Sequence, residues 1–264
     1  MKLLPLLSKL PMSFTLRLHR ERYKKKSWKT PIPDSHKLTE KDINEFVNSL
    51  KDVVMLAMFG KLGFMETAAA LQHLSSLRPE IVIPPVIDKL YSALETLTEP
   101  HRLTATMSSV VSMARTLVHG GKFYPEGPTH VIPLLMSSLN GLDVNDMKKC
   151  MVTFQFISTF VTLVPIIDCS GAVDVRNDLS ETEVQVCLAT AEFEDFVLQF
   201  MDRCFVLIEN SQLEQVNRLD NRNSDDRLNS EEGIIEVGLA STFGSILLQC
   251  SPAIFNVSFI IIII

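Results

Sequence analysis

The 264-residue chain is 46% apolar and 21% charged with a formal net charge of −6, which excludes a disordered chain and gives no overall electrostatic reason to expect direct nucleic-acid binding. Ten glycines, with no Asn-Gly or Asp-Gly turn between alternating apolar runs, argue against an all-β fold. Cys150, Cys169, Cys187, Cys204 and Cys250 stand far apart without metal spacing and read as reduced, buried thiols of a cytosolic or nuclear protein.

In chain order, MKLLPLLSKL begins like a secretory signal, but Lys9, Pro5 and Pro11 interrupt its apolar part and no small-residue cleavage site follows. The sequon Asn256-Val257-Ser258 is therefore expected to stay unmodified. Next comes RLHRERYKKKSWK. Arg17, Arg20, Arg22, Lys24, Lys25, Lys26 and Lys29 stand against Glu21, an excess of six positive charges, with Tyr23 and Trp28 between them. Phosphate binding, a nuclear-localisation patch and contact with an acidic protein surface all fit this run, as does a solvated helix face or frayed terminus. Residues 1–37 are read as a basic N-terminal segment.

Thr39 and Asp42 form a capping arrangement that opens a helix to about Phe59, with Ile43, Phe46, Val47, Leu50, Val54 and Met58 on one face. After GKLG a second helix covers about 64–77. The stretch RPEIVIPPVIDKLYSALETLTEPHRLTATMSSVVSMARTLVHGG then carries Pro84, Pro85 and Pro100. Proline suits the first turn of a helix and breaks one from inside. The expectation is therefore one helix starting at Pro84-Pro85 and running to about 97. A second opens on Thr98, covers about 99–118 and stops at Gly120-Gly121. Leu103, Met107, Val110, Val111, Ala114, Leu117 and Val118 make its apolar stripe.

Two further helices are expected at about 129–141 and 144–164, the latter capped by Asp143. A shift of 45 residues lays Ile87 on Ile132, Leu90 on Leu135, Ser92 on Ser137, Leu94 on Leu139 and Leu97 on Leu142. A period of 40–47 with two helices per unit lies in the HEAT/armadillo range. Ser180 and Glu183 form a capping box for a helix to about Ile208, with Val184, Leu188, Phe196, Phe200, Cys204 and Leu207 inward. Residues 211–230, rich in Asn and Asp, read as an exposed loop, and 231–249 as a last helix. The fold class is all-α: an α-solenoid of HEAT/armadillo-like helix pairs over 38–250, followed by an apolar tail at 251–264. That tail ends in five isoleucines, reads as truncated, and is an aggregation hazard too short to span a bilayer.

Catalytic signatures such as GxSxG, GxxxxGK[ST], HExxH and GxGxxG do not occur. The six histidines show no ligand spacing and read as surface or cap residues. Glu192, Glu194 and Asp195 alternate with Phe193 and Phe196. They could be paired catalytic carboxylates, but they read better as the solvated edge of a buried stripe. No catalytic, metal or cofactor residue is assigned.

Several stretches together carry a resemblance: RLHRERYKK, PDSHKLT, RPEIVIPPV, ALETLTEPHRLTAT, PEGPTHVIPLLM, TFQFISTFVTLVP and TAEFEDFVLQFMDRCF. In this order, over about 17–209 and more weakly to about 255, they resemble the large HEAT-repeat proteasome activators, the proteasome activator complex subunit 4 or Blm-ten-like family. The resemblance implies a partial internal segment of a long solenoid that forms a dome on the end of the 20S proteasome core, against its α subunits. It implies a non-enzymatic activator of ATP- and ubiquitin-independent degradation of peptides and proteins, acetylated histones included. A nuclear and cytoplasmic location is implied too, with roles in DNA repair and spermatogenesis.

The family's C-terminal tail that inserts into the core, and its acetyl-lysine-recognising region, have no counterpart in this sequence. Independent gate opening and histone reading by this chain are therefore in doubt. The repeats that would cover the last helix beyond about 250 are also missing, so an exposed apolar face is expected at that end. Inositol-phosphate binding is a family property for which Lys24, Lys25 and Lys26 are candidates without a residue-by-residue match. The competing reading from the helix pattern is a generic HEAT-repeat adaptor, transport or scaffold protein.

Overall fold

A computed structural model of the chain describes residues 4–23, 33–60, 63–96, 99–143, 145–217 and 231–256. Its helices are α1 (Leu4–Tyr23), α2 (Glu40–Ala57), α3 (Phe64–Leu77), α4 (Pro79–Thr96), α5 (Pro100–His119), α6 (Val131–Ser138), α7 (Met147–Leu163), α8 (Ala172–Val175), α9 (Glu181–Ala189), α10 (Phe193–Asn217) and α11 (Glu231–Gln249). Among the described residues the only β pairing is one parallel bridge between Ile166 and Cys250.

The helices stack in two layers. α1, α3, α5, α7 and α11 pack each on the next, and α2, α4, α6 and α10 run alongside them in the same order. Each pair α2/α3, α4/α5, α6/α7 and α10/α11 puts one helix in each layer, the repeat logic of an α-solenoid. A continuous core runs between the layers, from Val47 and Val54 through Leu74, Ile83, Leu90, Leu103 and Val110 to Phe156, Phe160, Phe196 and Phe200. Such burial stabilises by roughly 1.5–3 kcal/mol for each large apolar side chain. The 45-residue correspondence is a correspondence of place: Ile87, Leu90 and Leu94 on α4 are buried, and so are Ile132, Leu135 and Leu139 on α6 and the turn after it. Leu97 lies outside the described residues.

Local signals set most boundaries. Thr39 and Asp42 cap α2 reciprocally: the Asp42 N–H donates to Thr39 Oγ1 at 3.2 Å and the Thr39 N–H to Asp42 Oδ2 at 2.7 Å. Ser180 and Glu183 repeat the device at α9. Gly120 (φ 62°) and Gly121 (φ 81°) end α5 in a backbone region that side chains disfavour.

Elsewhere tertiary context overrides the local reading. α4 begins at Pro79, so Pro84 and Pro85 lie inside it. Pro79 already fills the favoured first-turn position. The two lost N–H groups cost less than burying Val82, Ile83, Val86, Ile87, Leu90 and Leu94 returns. The cap of α5 is Glu99, whose side chain makes no capping hydrogen bond but pairs with Arg102 at 3.1 Å, and Thr98 lies outside the described residues. α7 is capped by Asp146, whose side chain accepts from the Lys149 N–H at 3.0 Å. Asp143, the residue expected there, instead accepts from the Asn145 N–H at 3.0 Å and pairs with Lys149 Nζ at 2.6 Å.

The helix expected from Ser180 to Ile208 is two helices, α9 and α10, joined by a 3-10 turn at Thr190–Glu192. Buried Thr190 folds its hydroxyl back onto the Cys187 carbonyl at 2.5 Å and accepts from the Cys169 N–H at 2.8 Å. Leu188, expected inward, is 53% exposed because it precedes that turn. Residues 211–217, expected as loop, continue α10. The rest of the expected loop, 218–230, and the isoleucine run lie outside the described residues. At the end of the ladder Val237, Leu248 and Phe255 are exposed.

Candidate functional site

The basic run starts on α1, whose face bearing Leu7, Phe14 and Leu18 packs on the core, with Phe14 stacked on Phe46 at 4.0 Å between ring centroids. Arg17 Nε donates to Glu21 Oε1 at 2.7 Å and its Nη2 to the His36 carbonyl at 2.8 Å. The other Glu21 oxygen accepts from the Leu38 N–H at 2.8 Å. Burial pushes the Glu21 carboxyl up, but the Arg17 and Leu38 hydrogen bonds and the Arg17 and Arg22 charges outweigh it and leave it below its ordinary value.

Arg22 Nη2 reaches Glu40 Oε1 at 2.5 Å. The second Glu40 oxygen is taken by Arg78, whose Nε also binds Asn44 Oδ1. Arg78 is 5% exposed, and its guanidinium lies 5.1 Å from the Phe123 ring centroid. The Arg78 and Arg22 hydrogen bonds hold the Glu40 carboxyl below its ordinary range.

Two cations of the run, Arg17 and Arg22, are therefore ties between α1 and the following elements. Arg20 is exposed and has no ion-pair partner among the described residues. Lys24, Lys25, Lys26 and Lys29 lie outside the described residues.

Glu192, Glu194 and Asp195 are exposed beside buried Phe193 and Phe196: the solvated edge of a buried stripe. Among the described residues no group of three or more His, Cys, Asp or Glu is placed to hold a metal, and no helix is long and apolar enough to cross a membrane. Of the five cysteines expected to be buried, Cys150 and Cys204 are, whereas Cys187 and Cys250 are half-buried and Cys169, in the loop after α7, is exposed. Burial pushes the Cys204 thiol up to about 12 and raises that of Cys150, which suppresses thiolate reactivity. His36, His101 and His119 are exposed, whereas His73 and His130 are half-buried. The His130 ring stacks on buried Tyr124 with Nδ1 3.4 Å from the Tyr91 hydroxyl, and burial lowers its pKa.

A groove of about 760 Å³ crosses the open face of α3, α5, α7 and α11. Val111, Met151, Phe154 and Val237 supply apolar surface, and Gln155, Thr159 and Thr162 of α7 line it with polar groups. The sequence assigns none of these residues to a site, and Val111 reads only as part of an apolar stripe. Their only signal is that Gln155, Thr159 and Thr162 recur at helical spacing opposite the buried Phe156 and Phe160. A second groove of about 540 Å³, beside α4 and α5, carries Asp88, Lys89, Glu99 and Arg102, and its charges largely offset one another.

This architecture is that of a HEAT-type α-solenoid, a protein class that works by presenting surfaces. Residues 1–263 match the family model described as "Proteasome activator complex subunit 4, mid HEAT repeats region". The chain is 59% identical over 257 residues to proteasome activator complex subunit 4 of Xenopus laevis and, equally, of Homo sapiens, covering 97% of this chain and 14% of each relative. Proteasome activator subunit 4 of Arabidopsis thaliana is 28% identical over 154 residues, 54% of this chain and 8% of the relative. The chain belongs to the proteasome activator complex subunit 4 family and corresponds to its mid HEAT-repeat region.

Proposed function

We propose that the chain is a non-enzymatic segment of a proteasome activator that binds the end of the 20S core through its α subunits. In that role it promotes ATP- and ubiquitin-independent degradation of peptides and proteins, acetylated histones included, in the nucleus and cytoplasm. The observation that carries this reading is the match of residues 1–263 to the family's mid HEAT-repeat region. The fold supports it: a two-layer helix ladder buries one continuous core and leaves long faces free for a large partner. In the same reading the cations from Arg17 to Lys29 contact inositol phosphate or an acidic protein surface. Arg20 and the four lysines are the members to do so, since Arg17 and Arg22 are engaged within the chain.

The test is a pull-down of purified 20S core with the 264-residue chain, followed by a fluorogenic peptide assay on the same mixture. Binding with stimulated hydrolysis supports the full reading. Binding without stimulation keeps the docking role and assigns gate opening to other parts of the longer relatives. Absence of binding at micromolar concentration overturns the docking role for this segment.

A further inference from the structure

We propose that the groove across α3, α5, α7 and α11 binds an extended peptide segment that alternates apolar and acidic side chains. Its dimensions come from the ladder. Four successive helices at 8–10 Å spacing give a track of roughly 25–30 Å, the length of about eight or nine extended residues.

Its chemistry comes from the lining. Extended backbone offers donors and acceptors in turn, and a glutamine amide carries both. Gln72 and Gln155 line the groove, and their amides have no hydrogen-bond partner among the described residues. The Thr159 and Thr162 hydroxyls donate to the carbonyls of Gln155 and Ser158 at 2.7 and 2.6 Å. Their oxygens are left free to accept from a peptide N–H. Met151 and Val237, 49% and 59% exposed, offer apolar surface to every second side chain of a strand laid across them.

The charge of the occupant follows from Arg115. Among the described residues it is the one charged side chain of the lining, it is exposed, and it has no ion-pair partner. Among the described residues no carboxylate lines the groove. An acidic side chain on the outward-facing side of the strand meets it, and a basic one meets nothing of opposite sign. The inference stands apart from the proteasome reading, and its test contains no core particle.

The probe is a fluorescein-labelled decapeptide of alternating valine and aspartate, titrated by anisotropy against the full chain. Valine–lysine and serine–aspartate decapeptides serve as comparisons. The valine–aspartate peptide is expected to bind at least tenfold more tightly than either. Arg115→Ala is expected to weaken it roughly tenfold, the scale of a lost hydrogen bond to a charged group. Gln155→Glu is expected to weaken it similarly and to improve binding of the lysine peptide. Arg203→Ala, exposed on α10 and outside the lining, should leave binding unchanged.

A diazirine-bearing version of the peptide should crosslink to α7 or α11, which reads the site even if a variant folds poorly. Three results overturn the proposal. They are no binding of the valine–aspartate peptide, equal binding by wild type and Arg115→Ala, and loss through Arg20→Ala with crosslinks on α1, which would place acidic peptides on the basic run.

Discussion

At one end of the ladder α1 is tied down by charge, with Arg17, Glu21, Arg22, Glu40 and buried Arg78 linking α1, α2 and the start of α4. At the other end no ion pair joins α11 to α7 among the described residues. There α11 approaches so closely that a Cβ on Gly238 would sit 2.6 Å from the Phe154 ring. The buried Thr242 hydroxyl donates to the Phe154 carbonyl at 3.3 Å, and the Ser158 and Ser245 hydroxyls stand 3.5 Å apart. Ile166 adds a clasp, donating to the Gln249 carbonyl and accepting from the Ser251 N–H, each at 2.9 Å. One junction depends on ionisation and the other on volume. Repeats of one architecture can thus be joined by interactions that answer to different perturbations.

The sharpest way to break the packed end is Phe154→Ala. It should cost about 4 kcal/mol in urea unfolding, because it leaves a cavity where α7, α10 and α11 meet. At the charged end Arg78→Ala should cost about 3 kcal/mol. That is the low end for breaking a buried pair, since Glu40 keeps its side chain 58% exposed. Gly238→Ala should cost about 2 kcal/mol by overpacking. In a Phe154→Leu background that cost should shrink below about 1 kcal/mol, and an unchanged cost in the double-mutant cycle would refute the close-packing account.

The smallest effect is acid sensitivity. Glu21 and Glu40 titrate below their ordinary range in the folded chain. Their contribution is therefore complete above the unfolded carboxylate pKa and is lost as pH falls through the lower folded value. Hydrogen exchange corrected for intrinsic rates, taken from neutral pH to about pH 3.5, below the ordinary Glu pKa, should show α1 loosening before α11. Glu40→Gln should blunt that difference, and an equal response of the two ends would remove the contrast.

The packed end was the less legible of the two. Nothing about Gly238 in the sequence says that a phenylalanine 84 positions earlier lies against it, because close approach belongs to a pair of helices. The groove was hidden for the same reason: Gln72, Arg115 and Gln155 are unremarkable polar positions on three helices until stacking aligns them. Arg78 carries no local signal, although its burial beside Glu40 and Asn44 joins segments 34 to 38 residues apart.

The sequence by itself determined most of the helices after residue 38 and their order. Apolar spacing, the Thr39 and Ser180 caps and the Gly120-Gly121 stop act within a few residues and need no partner. Its quoted stretches also carried the family. Tertiary structure decided what depends on distant surfaces meeting. It carried α4 through Pro84 and Pro85, because burying six aliphatic side chains outweighs two missing backbone bonds. It turned two arginines of a basic run into internal ties, and it set the polar sides of four helices together as one groove.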